Sequence, residues 1–284
     1  MKRVLVTGAG GQLGQCFQRI AGDFPDLEFV FADSQAFDVT LTGVMDIYLR
    51  QQKVDYCINC AAYTKVDQAE THREMAYHVN SDAVKQLAHA CKNNNITLIH
   101  FSTDYVFDGS KHSPYSEEDE TNPINVYGGS KLSGEEFIQQ EMEQYFIVRT
   151  SWLYSDIGHN FYNTIRKKAE AGEQLNITTE QRGTPTNGYD LARFVLGIIS
   201  EGRKEFGIYH FSNLGDGTWY DFAAEILQLS GYSGKVELLE NNDFATLAKR
   251  PEHSVLSKDK VIRIFQQEIL PWKESLARLV KKSI

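Results

Sequence analysis

Lys2-Arg3-Val4-Leu5-Val6-Thr7-Gly8-Ala9-Gly10-Gly11-Gln12-Leu13-Gly14 is the stretch on which the rest of the chain turns. Val4, Leu5 and Val6 make a short apolar run that stops at glycines, the pattern of a strand buried on both faces. Gly8, Gly11 and Gly14 follow at every third position, and then an amphipathic run with Leu13, Phe17, Ile20 and Ala21. Strand, glycine turn and helix together open a dinucleotide-binding unit. The glycines permit a tight turn, close approach of backbone N–H groups to a diphosphate, and close helix–strand packing. The N–H groups and dipole of a helix start attract an anion without any lysine. Three glycines alone mark no more than a turn. The next apolar run, Leu27 to Ala32, reads as a second strand ending at Asp33. That acid falls near the spacing of about 20 residues expected for the carboxylate that binds ribose hydroxyls.

The 284 residues suit one large or two modest domains, and 42% hydrophobic residues is ordinary for a soluble protein. No apolar run approaches the roughly 18 residues of a membrane span. The run after Lys2 and Arg3 is too short for a signal peptide, so a cytoplasmic location is expected. The net charge of −9 speaks against nucleic acid as a partner. Four cysteines are too few for a disulfide scaffold. Cys57 and Cys60 form C-x-x-C, but their odd separation on a strand puts them on opposite faces, as core residues. The histidines show no metal-binding spacing, and no metal site is expected.

Further along, Thr40 or Thr42 is placed to cap a helix over 43–52. A third strand, Tyr56–Asn59, leads into the small residues Cys60-Ala61-Ala62. A long helix is expected over 73–93, a fourth strand over 97–101 ending in Ser102-Thr103-Asp104, a loop over 108–123, a helix over 125–142 and a fifth strand over 146–148. Strict alternation to about Thr150 predicts an α/β fold, a parallel sheet doubly wound with helices. Residues 1–150 form the expected NAD(P)-binding domain, with 188–212 returning to it. Residues 151–187 and 213–284 form a smaller α+β substrate domain. Beyond 150, helices are expected near 160–171, 190–201, 219–230 and 272–282, and strands near 175–178, 207–211 and 235–239, those at 190–201 and 207–211 belonging to the returning segment.

Tyr127-Gly128-Gly129-Ser130-Lys131 carries the sharpest chemistry. Positions i and i+4 share a helix face, so Tyr127 and Lys131 point the same way. A phenol can give a proton to a carbonyl that is becoming an alkoxide. A neighbouring ammonium lowers its pKa toward working pH. A hydroxyl from Ser102-Thr103 at the end of the fourth strand can hold the carbonyl beside Tyr127.

With these motifs in view, the chain resembles the extended short-chain dehydrogenases/reductases, within them the branch acting on 4-keto sugar nucleotides. The likeness runs through Gly8–Gly14, Asp38-Val39-Thr40, Asn59 to Thr64, Ser102 to Phe107, Val126 to Lys131, Arg149 to Tyr154, Gly183-Thr184-Pro185-Thr186 and Arg250-Pro251. It implies reduction of the C4 ketone of dTDP-4-dehydro-L-rhamnose to dTDP-L-rhamnose with NADH or NADPH. It implies that Gly11, Gln12 and Leu13 hold the diphosphate, that Asp38 and Val39 sit at the adenine, and that Ala61, Ala62, Tyr63 and Thr64 line the cofactor. Tyr127, Lys131 and Thr103 become the catalytic set. Thr103, Asp104 and Trp152 face the sugar nucleotide, and Arg250 is a partner for its diphosphate. Apart from the resemblance, a pocket for a dianion in a chain of net charge −9 needs cations, and Arg182, just before Gly183, is the other candidate. Some relatives form a homodimer around a metal held by a carboxylate of the first helix. Here that helix reads Gly14-Gln15-Cys16-Phe17-Gln18, with no acid before Asp23. Dehydratases of the group resemble Thr-Asp-Glu after the fourth strand, where this chain has Tyr105. A regulatory subunit of methionine adenosyltransferase also looks similar, but the intact Tyr127, Lys131 and Thr103 set this chain apart from a binding module.

Overall fold

A computed structural model describes residues 1–41, 43–243 and 246–282. Six strands form one parallel sheet. In chain order the elements run β1 (Lys2–Thr7), α1 (Gln12–Ile20), β2 (Leu27–Ala32), α2 (Met45–Gln52), β3 (Tyr56–Asn59), α3 (Val66–Thr71), α4 (Arg73–Tyr77), α5 (Ala83–Asn93), β4 (Thr97–Thr103), α6 (Val126–Glu141) and β5 (Tyr145–Thr150). There follow β6 (Leu153–Tyr154), α7 (Phe161–Glu170), β7 (Leu175–Ile177), β8 (Arg182–Gly183), β9 (Thr186–Asn187), α8 (Gly188–Glu201) and β10 (Gly207–His210). The chain closes with β11 (Gly217–Thr218), α9 (Trp219–Leu229), β12 (Leu238–Glu240), α10 (Asp259–Phe265) and α11 (Trp272–Lys282).

The sheet order is β10-β5-β4-β3-β1-β2, with every pair parallel. Strand order therefore reverses between β1 and β3, and ligands of such sheets bind at that crevice, beyond the carboxyl ends of the strands. The two-residue period of β1 explains the two layers of core. Val4 and Val6 point to one face and pack with Phe17, Leu191 and Val195 of α1 and α8. Leu5 points to the other, among Leu49, Leu87 and Ile138 of α2, α5 and α6. Cys57 lies in that second layer and Cys60 packs against the first, so the C-x-x-C pair is split by the sheet. All four cysteines are free thiols. A third cluster, with Tyr154, Tyr162, Phe222, Trp272 and Leu276, forms between α7, α9 and α11. Segment 188–210 adds α8 against α1 and β10 against β5, registering Gly207 with Phe146 and His210 with Arg149.

Three expectations need correction. The helix expected over 73–93 is α4 and α5 joined by a π-helical turn, His78–Asp82. Val44 and not Thr40 begins α2; the Thr40 hydroxyl instead donates to Asp38 Oδ1 at 2.7 Å. Thr42 lies outside the described residues. The strand expected over 235–239 forms at 238–240, paired with β7. Helices α3 and α10 appear where no element was expected.

Candidate active site

The glycine loop is shaped by close approach. Gly8 has φ +59°, and a Cβ there would lie 2.7 Å from the Ala61 nitrogen. A Cβ on Gly14 would stand 2.5 Å from the Gly8 carbonyl oxygen. Gly11 is the N-cap of α1, and no side chain caps that helix. Its first-turn N–H groups are thus left for an external acceptor, with no carboxylate in the turn to compete. Gly10, Gly11, Gln12 and Leu13 line a cleft of about 570 Å³ at the carboxyl edge of the sheet. Gly8, Gly10 and Gly11 also border a second cavity of about 370 Å³ with Asp33, Asp38, Val39, Ala61 and Ala62. These residues fit a dinucleotide draped over the loop.

In that second cavity Asp33 Oδ1 accepts from the Gln35 and Ala36 nitrogens, each at 3.0 Å. Asp38 accepts from the Thr40 backbone and hydroxyl, which holds its carboxyl below the usual range. Among the described residues, no lysine or arginine borders the cavity. Ala62 and Thr64 reach the larger cleft. Tyr63 lines neither, because its backbone is clamped at both ends by Asn80, at 2.8 and 2.9 Å. Asn80 belongs to the π-helical turn and also donates to Ser130 Oγ at 3.0 Å. The irregular turn therefore ties the loop after β3 to the helix that carries Tyr127, a use typical of π-bulges. Sequence reasoning missed Asn80, since a regular helix reading hides such a residue.

Helix α6 starts where it does because the Asn125 side chain caps the Gly128 nitrogen at 2.7 Å. A Cβ on Gly128 would stand 2.1 Å from the Tyr105 carbonyl oxygen, so only glycine lets the helix press against the end of β4. That contact sets Tyr127 beside Thr103. The Thr103 hydroxyl lies beside the Tyr127 phenol and donates to Asp104 Oδ1 at 3.0 Å. Tyr127, Lys131, Thr103, Asp104 and Trp152 all line the larger cleft. Among the described residues, Ser102 Oγ is buried without a hydrogen-bond partner, and the Asp104 carboxyl lies beside the Thr103 and Ser254 hydroxyls.

Burial pushes the Tyr127 phenol up to about 12, with the Asp104 charge adding to the rise and the Thr103 bond opposing it. The lowering expected from Lys131 is therefore not what the site shows. Lys131 turns to His100 Nε2, at 3.2 Å, and burial brings its ammonium down to about 8. Burial also lifts the Asp104 carboxyl to about 6.

Across the cleft, Trp152 lies flat on Trp219, with Phe161 tilted against the latter. All three line the cleft. Trp152 has φ +46°, and a Cβ on Gly183 would stand 2.6 Å from its ring, which accounts for the glycine of Gly183-Thr184-Pro185-Thr186. Trp219 and Phe161 carried no motif and were not foreseen. Arg182 and Arg250 do not line the cleft. Arg182 pairs with Asp216, and Arg250 Nη2 donates to Asp67 Oδ2 at 2.7 Å. Among the described residues, no group of three or more His, Cys, Asp or Glu is arranged to hold a metal. No described helix is long and apolar enough to cross a membrane.

A doubly wound sheet with an uncapped glycine loop, and a tyrosine and lysine one turn apart beside it, defines a nicotinamide-dependent oxidoreductase of the extended short-chain dehydrogenase/reductase class. Within that class, the chain belongs to the family described as RmlD substrate binding domain, whose model matches residues 1–284. It is 37% identical, over 98% of its length and 96% of the relative's, to a dTDP-4-dehydrorhamnose reductase of Sinorhizobium fredii. Among solved structures it is similar to a dTDP-4-dehydrorhamnose reductase from Clostridium acetobutylicum, at TM-score 0.93 and 38% identity over 99% of both chains. It is equally close in fold, TM-score 0.93, to the Bacillus anthracis enzyme of that name in complex with NADP, at 34% identity over 99% of this chain and 100% of the other.

Proposed function

We propose that this protein reduces the C4 ketone of dTDP-4-dehydro-L-rhamnose to dTDP-L-rhamnose with NADH or NADPH. The observation that carries the reading is the meeting of Tyr127 and Thr103 in a cleft between the glycine loop and the Trp152–Trp219 wall. The names of its relatives support the choice of substrate.

When bound, the reduced nicotinamide supplies the hydride. The N–H groups of Gly11, Gln12 and Leu13 receive the diphosphate. Asp33 takes the ribose hydroxyls, and Asp38 and Val39 flank the adenine. Ala62 and Thr64 form the wall under the nicotinamide half, Ala61 borders the cavity that holds Asp33, Tyr63 fixes the loop through its backbone bonds to Asn80, and Lys131 holds the ribose. Tyr127 keeps a proton at Oη at neutral pH, since its phenol is raised to about 12. It gives that proton to the C4 oxygen as the carbonyl carbon becomes tetrahedral. The Thr103 hydroxyl is placed to hold the same oxygen and then to bond the phenolate. Asp104 accepts from sugar hydroxyls, and the indoles of Trp152 and Trp219 cover the apolar face of the ligand. Arg250 and Arg182, held outside the cleft by Asp67 and Asp216, are the cations that a bound diphosphate would draw toward it against the overall negative field.

We read residues 1–150 with 188–212 as the cofactor domain, and 151–187 with 213–284 as the substrate domain. A cytoplasmic location follows from the nucleotide-sugar chemistry. A homodimer is the assembly to look for, without the first-helix metal. The dehydratase alternative is not carried forward, because Tyr105 stands where that chemistry needs a glutamate and packs edge-on against Tyr127.

Tyr127→Phe tests the proposal. It removes the proton donor and should lower kcat with the 4-keto sugar nucleotide by roughly 10²–10⁴, the range of general acid catalysis. NADH binding should persist. A Tyr127→Phe protein with near-normal kcat would refute the assignment.

A further inference from the structure

His100 sits on β4 beneath the catalytic face, fully buried, and the reductase reading gives it no task. Its two ring nitrogens are both occupied: Nδ1 is 3.1 Å from Asn59 Nδ2, and Nε2 is 3.2 Å from Lys131 Nζ. The direction of these bonds is fixed from the far end. The Ala61 backbone N–H, which can only donate, points at Asn59 Oδ1 from 3.2 Å, and the Thr7 hydroxyl donates to the same oxygen at 2.7 Å. The Asn59 amide cannot be turned over without setting two N–H groups against each other. Asn59 Nδ2 is therefore the donor to His100 Nδ1. A neutral imidazole that accepts at Nδ1 carries its one hydrogen on Nε2. That hydrogen faces Lys131 Nζ, which has a lone pair to accept it only as a neutral amine.

We propose that His100 is a positioning residue that sets the charge of Lys131: locked by Asn59 as the Nε2–H tautomer, it aims a donor at Nζ and favours the amine over the ammonium. The step is simple loss of one proton from Nζ to water; His100 stays neutral throughout, and nothing is oxidised or reduced.

The surroundings agree. Burial holds the imidazole well below its ordinary value, so a second proton on His100 does not compete. Three other titratable groups face or neighbour Lys131. Glu135, one turn along α6, would favour the ammonium. Its carboxylate is taken by Arg149, however, through Nε at 3.0 Å and Nη2 at 2.7 Å. Cys60, from the loop after β3, is a thiol that burial keeps protonated. Tyr127, one turn back on α6, lies beside Thr103 and is likewise kept protonated by burial. The largest influence is burial, which lowers Lys131 in the same direction as the His100 donor, and Glu135 and Cys60 oppose it more weakly. A lysine poised this way takes up its proton when a hydroxyl offers it a better acceptor than His100 does. Only that last use rests on the reductase reading.

The test needs neither substrate nor turnover. The full-length protein, labelled with ¹⁵N-histidine and with ¹³C,¹⁵N-lysine, is titrated by NMR without cofactor, and the Lys131 signal is assigned by its loss in Lys131→Met. The expected result is a His100 with hydrogen on Nε2 and a bare Nδ1. In Asn59→Asp, whose carboxylate can only accept, the hydrogen should move to Nδ1. His100→Leu should raise the Lys131 midpoint by at least one pH unit, a tenfold gain in proton affinity. A wild-type His100 protonated at Nδ1, or on both nitrogens at neutral pH, overturns the proposal. So does an unchanged Lys131 midpoint in His100→Leu. Should His100→Leu fail to fold, the wild-type and Asn59→Asp tautomers still decide. Failure here would leave the Tyr127→Phe result untouched, so the two readings can fail separately.

Discussion

The indole of Trp152 lies on the indole of Trp219 with ring centroids 3.7 Å apart and planes 10° from parallel. One ring follows β5 and the other opens α9, so a single stack joins the end of the sheet to the C-terminal helices. Removing Trp219 leaves Trp152 without its backing. Aromatic pairs contribute roughly 0.5–1.5 kcal/mol beyond area. Trp219→Ala should therefore raise KM for the sugar nucleotide about two- to twelvefold while the Kd for NADH stays within error. A weakened NADH affinity with an unchanged KM would show that the stack serves the cofactor side.

Asp104 offers a pH test of the fold. Its carboxyl is raised to about 6 by burial, from an ordinary value near 4. A raised acid binds its proton more tightly when folded. The stability it contributes is whole below pH 4 and is lost as pH rises to about 6. Two units correspond to about 3 kcal/mol. Urea unfolding of wild type and Asp104→Asn should show their difference in stability shifting by up to that amount between pH 4 and pH 7, in favour of the variant at the higher pH. Parallel curves would mean that Asp104 is not desolvated in the folded protein.

The Arg250–Asp67 pair joins the C-terminal segment to α3, and Asp67 Oδ1 also accepts from the Ala248 nitrogen at 3.1 Å. Both side chains are partly exposed, so a double-mutant cycle for stability should return only about 0.2–1 kcal/mol. The effect on binding should be larger. Arg250→Ala should raise KM for the sugar nucleotide, and Asp67→Asn should do so to a smaller degree by releasing Arg250. If both variants keep the wild-type KM, Arg250 is a tether and not a ligand.

Cofactor choice follows from the second cavity. Asp33 directly follows β2, and among the described residues bordering the cavity none is a lysine or arginine. A carboxylate accepts from a free 2′-hydroxyl and repels a 2′-phosphate. NADH should be used at least as well as NADPH, even though a similar enzyme was solved with NADP. A kcat/KM ratio favouring NADPH more than about tenfold, or about 1.4 kcal/mol, would contradict this.

The cofactor half of the site was legible because its chemistry is local. Gly8 to Gly14 carry a turn, an anion site and a packing contact within seven residues, and Tyr127 and Lys131 are neighbours by helical period alone. The other half was not. Trp219 meets Trp152 from across the chain, and a tryptophan opening a helix gives no sign of facing a ligand. Asn80 and His100 act through hydrogen bonds to residues 17 and 31 positions away, and no spacing rule reaches so far. The rise in the Tyr127 phenol was missed for a related reason. A pattern shows which residues are adjacent but not how much water is excluded around them.

The late arrival of β10 has a consequence for synthesis. The ribosome releases β5 well before the strand that flanks it, with β6 to α8 translated in between. Through that interval Phe146, Ile147 and Val148 form an apolar, unpaired margin, the kind of edge that recruits other chains. A polypeptide ending at Thr150 would keep that margin permanently and should aggregate, although it contains the whole glycine loop and the Tyr127–Lys131 helix. The nascent protein is thus at its most vulnerable when it already possesses most of what it needs to bind its cofactor.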